Sequence, residues 1–153
     1  MKIQIDHMMG TATFAVNIET SASKETLKGM FKVKCILSPM QYIQSDSLYR
    51  ELLGKTNPQF ANDYVGNLCY ALSQLKYRII EAPEWFGSDE SGVRGSSVED
   101  NVLLHILDRS VEAEDTYRKA MEEKYESAKK AVKDAFDKDE LDTGLDDLEE
   151  EDE

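Results

Sequence analysis

The sequence predicts an α+β fold, in which a small antiparallel amino-terminal sheet precedes three helices and a disordered acidic tail. The first 37 residues alternate between apolar and polar side chains, which is the period of a strand. From residue 38 the apolar side chains recur every three or four positions, which is the period of a helix. The last 20 residues contain 12 acidic side chains and one lysine, so this segment carries −11 of the chain's net charge of −13.

Three strands are predicted in the amino-terminal segment, around residues 3–6, 14–18 and 31–36. Gly10 lies between the first two strands, and a polar connection over 20–29 separates the second from the third. Apolar residues alternate with Lys32 and Lys34 in the third strand. We therefore expect an antiparallel sheet with one face toward solvent.

The first helix is predicted to begin at Ser38, because a capping hydroxyl precedes a proline at the first helical position. Gln41 is placed to return a hydrogen bond to the cap. The predicted apolar stripe of this helix comprises Met40, Ile43, Leu48 and Leu52.

The second helix is predicted to begin at Asn57 and Pro58 and to end before Pro83, which cannot donate a helical hydrogen bond. Its apolar residues follow one another at spacings of three or four and predict one continuous buried face. They are Phe60, Tyr64, Leu68, Leu72, Leu75 and Ile79.

The third helix is predicted to follow a loop over 87–97 that is rich in glycine and serine. Ser97 and Asp100 form the expected cap. After about Arg118 charged residues dominate, which favours a helix that projects into solvent or against a partner. We accordingly assign a single domain to 1–133, with its last helix partly projecting, and a disordered acidic tail to 134–153.

The chain contains no apolar run long enough for a signal peptide or a membrane span, so we expect a soluble cytoplasmic protein. Lys and Arg are scattered rather than clustered, which argues against direct binding of nucleic acid.

No motif predicts catalytic residues, a metal site or a cofactor. His7, His105, Cys35 and Cys69 are dispersed, without the spacing of a zinc site or of a nucleophile with its base. The segment that begins at Asp137 does not match the EF-hand calcium loop, because its fifth position is a leucine and its sixth is not glycine. We therefore expect a protein without enzymatic activity.

Candidate partner-binding residues occur in two places. Trp85 and Phe86 adjoin the glycine-rich loop, where the alternative role is to cap the core. Leu141, Leu145 and Leu148 interrupt the acidic tail, where the alternative is a tail that only aids solubility.

Four methionines provide adaptable apolar surface if they are exposed, although core filling is the favoured interpretation. They are Met8, Met9, Met30 and Met40.

Four segments resemble the pattern of the tail assembly chaperones of tailed bacteriophages. They are 31–39 (FKVKCILSP), 46–54 (DSLYRELLG), 75–86 (LKYRIIEAPEWF) and the helix that begins at Asp100. The resemblance covers about residues 31–118 and includes neither the amino-terminal strands nor the acidic end. It implies a viral chaperone in the host cytoplasm that binds the tape measure protein and assists assembly of the tail tube. The expected partner is accordingly the tape measure protein or the tail tube protein. The oligomeric state, including a homo-oligomer, stays open.

Two other classes of function are consistent with the sequence. One is a structural component of the virion, such as a neck, tail or capsid-associated protein. The other is an acidic mimic of nucleic acid, whose carboxylates occupy a basic cleft on a host protein. The first predicts stoichiometric copies in purified particles, and the second predicts competition with DNA and steep dependence on salt.

Overall fold

The computed structural model describes residues 2–56, 62–87 and 92–143, with side chains through 137. In chain order the elements are β1 (Gln4–Asp6), β2 (Thr11–Glu19), β3 (Thr26–Lys34), α1 (Pro39–Gly54), α2 (Asp63–Arg78), β4 (Ile79–Glu81) and α3 (Asp100–Thr143). The chain divides into two compact units, Met1–Tyr117 and Arg118–Glu153. The predicted α+β fold, with a sheet before three helices, is confirmed.

The sheet has the strand order β1-β2-β3-β4, and every neighbouring pair is antiparallel. The three predicted strands are present, and β2 and β3 pair along their whole length. Phe14 lies opposite Phe31, and their ring centroids are 5.7 Å apart in a stacked arrangement on the buried face. This aromatic pair favours the observed register, because a slip of one residue by either strand would turn its ring toward solvent and break the contact.

The fourth strand replaces the predicted end of the second helix. The helical period predicts that this helix includes Ile79, whereas α2 ends at Arg78 and Ile79 pairs with Val33 of β3. Two β-branched residues in succession favour a strand here, and the approaching Pro83 disfavours further helix. Pro83 then packs on Gly29, where a side chain of any size would overlap its ring.

Helix α1 begins as predicted but buries a different face. The Ser38 hydroxyl accepts a hydrogen bond from the Gln41 amide at 3.2 Å, and the Gln41 side chain accepts one from the Ser38 amide at 3.1 Å. Ser45 is the buried residue of this helix, while Met40 and Ile43 from the predicted stripe are exposed. The predicted apolar stripe is therefore wrong for Met40 and Ile43, because α1 packs on α2 through the face that carries Ser45.

Helix α3 is buried in its first part and exposed in its second. Val102, Ile106 and Ala113 are fully buried against the sheet, whereas the described side chains after Arg118 are largely exposed. The helical backbone continues to Thr143, ten residues past the predicted domain boundary at 133. Residues 144–153 of the predicted tail lie outside the described residues.

Both ends of the buried part of α3 are joined to turns of the sheet. The Glu99 carboxylate accepts hydrogen bonds from the amides of Ser21 and Ala22, at 2.8 and 3.3 Å, in the turn after β2. At the other end the Tyr117 ring lies beside Gly10, the last residue of the turn before β2. The helix therefore runs antiparallel to β2 along the buried face of the sheet.

One buried arginine connects the helices to the sheet. Arg78 donates from Nη2 to Glu114 of α3 at 2.9 Å, from Nη1 to the Cys35 carbonyl after β3 at 3.2 Å, and from Nε to Gln74 at 3.0 Å. Gln74 in turn donates to Ser45 of α1 at 3.0 Å. Since the guanidinium is almost inaccessible to water, these bonds replace its hydration.

We expect Arg78→Gln to lower the free energy of unfolding by about 3 kcal/mol, because it breaks a largely buried ion pair and leaves Glu114 without its cation. Arg50→Gln is the matched control, since its 2.8 Å pair with Asp46 has both side chains more than half exposed. That change should cost less than about 1 kcal/mol. Urea denaturation followed by circular dichroism measures both, and equal losses would contradict the structural role of Arg78.

Candidate protein-binding surface

The four methionines considered in the sequence are all on the surface. Met8 is 97% exposed, Met9 74%, Met30 56% and Met40 60%. Core filling, which the sequence favoured, is therefore wrong for this set. Exposed thioether side chains in such number are typical of surfaces that bind other proteins.

Met8 and Met9 are held outward by a rigid turn between β1 and β2. The Asp6 carboxylate accepts hydrogen bonds from both methionine amides at 3.1 Å, and its carbonyl accepts one from the Gly10 amide at 2.8 Å. Gly10 has a φ of 67°, which a side chain would strain. The backbone of this turn is therefore held by hydrogen bonds within the chain, without a contribution from a partner.

Met40 is accompanied by Ile43, which is 63% exposed, one turn further along α1. The capping box at Ser38 orders this first turn of the helix. The Cys35 amide donates to the Gly10 carbonyl at 2.8 Å, so the chain that leads into α1 starts beside the turn of Met8 and Met9. We call Met8, Met9, Met40 and Ile43 the methionine surface.

The two predicted aromatic contacts have different positions. Phe86 is 2% exposed and packs edge-on against Phe31, with ring centroids 5.3 Å apart. Its burial is what the alternative role as a core cap requires. Trp85 is half-buried, and its indole Nε1 donates to the Lys28 carbonyl at 2.9 Å.

The three predicted leucine contacts of the tail add nothing to the described surface. Leu141 belongs to the helical backbone of α3, but its side chain lies outside the described residues. Leu145 and Leu148 lie outside them altogether.

The candidate groups for chemistry are dispersed or shielded. Among the described residues no cluster of three or more His, Cys, Asp or Glu could hold a metal ion. Cys35 and Cys69 are free and buried. Burial raises the pKa of the Cys35 thiol from 9.0 to about 11, with the Arg78 charge opposing and the Glu114 charge adding to the shift. Burial also raises the pKa of Cys69. Both thiols are therefore protonated at neutral pH, which is the unreactive form.

Comparison with protein-family models, with curated proteins and with solved structures finds no match to this chain. Within the part of the chain that the structure describes, no helix has the length and hydropathy needed to cross a membrane.

We expect the free energy of unfolding to fall as the pH rises from about 9 to 11, because the unfolded thiol of Cys35 ionises before the folded one. The contribution of this thiol is complete below pH 9 and disappears above pH 11. Denaturant titrations at several pH values, on the wild type and on Cys35→Ala, measure the difference in slope. Parallel pH profiles for the two proteins would contradict the prediction.

Proposed function

We propose that this chain is a non-catalytic protein-binding protein, which holds an apolar segment of a client through the methionine surface. The observation that carries the proposal is the exposure of Met8, Met9, Met40 and Ile43 on two ordered segments. Met8 and Met9 are exposed side by side in one turn, and Met40 and Ile43 are exposed three residues apart on α1. A monomeric surface ordinarily exposes such residues singly, and exposed apolar pairs mark a site of interaction.

Methionine suits a client whose sequence varies along its length. Its unbranched, polarizable side chain adapts to differently shaped apolar groups at low cost. The rigid turn at Asp6 and the capped start of α1 hold the backbone fixed, so binding orders only side chains. The surface therefore combines a fixed position with an adaptable shape.

The charge of the chain supports the same role. A net charge of −13 resists association between copies and helps to keep a complex with an apolar client in solution. A chaperone of this kind needs apolar surface to bind the client and charge to keep the complex in solution. In this chain the two are supplied by different residues.

The specific form that we propose is a phage tail assembly chaperone, with the tape measure protein as client and the tail tube subunit as a second partner. Support for this form comes from the resemblance of segments 31–39, 46–54 and 75–86 and of the helix from Asp100. A tape measure protein is long and prone to aggregate, so it presents the apolar segments that a methionine surface would cover.

Co-expression with a candidate tape measure protein tests the proposal. We expect the full chain to raise the soluble fraction of the client and to co-purify with it. The triple variant Met8→Ser/Met9→Ser/Met40→Ser should weaken the interaction about tenfold or more, at about 0.5 kcal/mol or more for each lost apolar contact. Its unfolding free energy should stay within about 0.5 kcal/mol of the wild type, because the changed side chains are exposed.

Met121→Ser is the matched control, since Met121 is also exposed but lies in the second unit. It should leave client solubility unchanged. If the triple variant solubilises the client as well as the wild type does, the methionine surface is not the binding site. If the wild type has no effect on the client, and the chain is instead a stoichiometric part of finished particles, the chaperone function is excluded.

A further inference from the structure

A pocket of about 240 Å³ opens between α1 and α2. Its lining residues are Tyr42, Ser45, Asp46, Tyr49, Tyr70 and Gln74. Tyr42, Ser45, Asp46 and Tyr49 are spaced by three or four residues and therefore lie on one face of α1. Tyr70 and Gln74 lie on one face of α2 for the same reason. Three tyrosines and one carboxylate line this single space.

Two of the tyrosine rings meet almost at a right angle. The centroids of Tyr49 and Tyr70 are 6.1 Å apart, and the ring planes are inclined by 83°. In this edge-on contact the edge of one ring meets the face of the other, and the face of an aromatic ring carries the negative part of its quadrupole. A cation within about 6 Å of such a face is attracted to it.

The floor of the pocket is polar but already satisfied. Gln74 donates to the Ser45 hydroxyl at 3.0 Å and accepts from Arg78 at 3.0 Å. Behind this floor the charge of Arg78 is balanced by Glu114, at 2.9 Å. Glu114 also accepts a hydrogen bond from the hydroxyl of the lining residue Tyr42 at 2.9 Å. Asp46 is the carboxylate among the lining residues.

A cationic side chain of the protein itself, Arg50, lies beside the Asp46 carboxylate of the pocket. Arg50 donates from Nε to the Asp46 carboxylate at 2.8 Å, and both side chains are largely exposed. An exposed pair of this kind is weak and exchanges readily with another cation. Arg50 thus competes with any cationic ligand for the same carboxylate.

We propose that this pocket binds the cationic group of a basic side chain, an arginine or lysine of a partner protein. Its tyrosine faces attract the cation, and Asp46 supplies the counter-charge. An anionic ligand would be repelled by Asp46, and a neutral one would lack both attractions. Binding at this site can be measured without any client.

The test uses the full chain with N-acetyl-argininamide as probe and N-acetyl-citrullinamide as its neutral counterpart of similar shape. Titration is followed by the NMR shifts of labelled tyrosine rings. We expect saturable shifts of Tyr49 and Tyr70 with the arginine probe, at a Kd of about 1–20 mM, and at least fivefold weaker binding of the citrulline probe.

Two charge variants of neighbouring residues should act in opposite directions. Asp46→Asn should weaken binding of the arginine probe about fivefold, because it removes the counter-charge. Arg50→Gln should strengthen binding about threefold, because it removes the competing cation. A merely structural role of the Arg50–Asp46 pair would change affinity in the same direction for both variants.

The aromatic contribution is tested by Tyr70→Leu, which should weaken binding about threefold or more, and by Tyr70→Phe, which keeps the ring face and should retain it. Circular dichroism checks that both variants are folded. Equal binding of the two probes would overturn the proposal. So would the absence of saturable shifts up to about 50 mM probe in both the wild type and the Arg50→Gln variant.

Discussion

The arrangement of this molecule depends on one buried cation, Arg78. Its guanidinium contacts the end of β3 through the Cys35 carbonyl, α3 through Glu114, and α1 through Gln74 and Ser45. A charge so shielded from water is stable only while every one of these partners stays in place. Arg78 is also the last residue of α2, so the same interaction fixes where the helix ends and where β4 begins.

The outward face of α1 and the pocket between α1 and α2 are consequences of that constraint. Because Ser45 faces the hydrogen bonds of Gln74 and Arg78, Met40 and Ile43 at the start of α1 face solvent. The same rotation places Asp46 and Tyr49 beside α2, where they meet Tyr70 in the pocket. An apolar surface and a cation-binding pocket on one helix would let a partner be held by two kinds of contact.

Only some local signals in the sequence were reliable. The cap predicted at Asn57 and Pro58 is wrong, because α2 begins at Asp63 after Asn62, and the cap predicted at Ser97 is wrong, because α3 begins at Asp100. The capping box of Ser38 and Gln41 and the alternation around Phe14 and Phe31 predict the structure correctly, because each depends on neighbours in the chain or on a strict period. The second helix was predicted too long, since Ile79 is apolar at a position that suits a helix face and a strand face equally. Its pairing with Val33 decided between them. The tyrosine pocket carried no recognisable signal, because residues 42–49 and 70–74 belong to separate helices.

By itself the sequence determined the fold class, the order of the main elements and the concentration of charge at the carboxyl end, since these follow from composition and from periodicity within single segments. Which apolar residues are buried was decided only by tertiary structure. Four methionines expected in the core lie outside, and Phe86, expected at a partner, lies inside. Hydrophobicity alone does not distinguish these outcomes, because burial depends on which face of each element meets its neighbours.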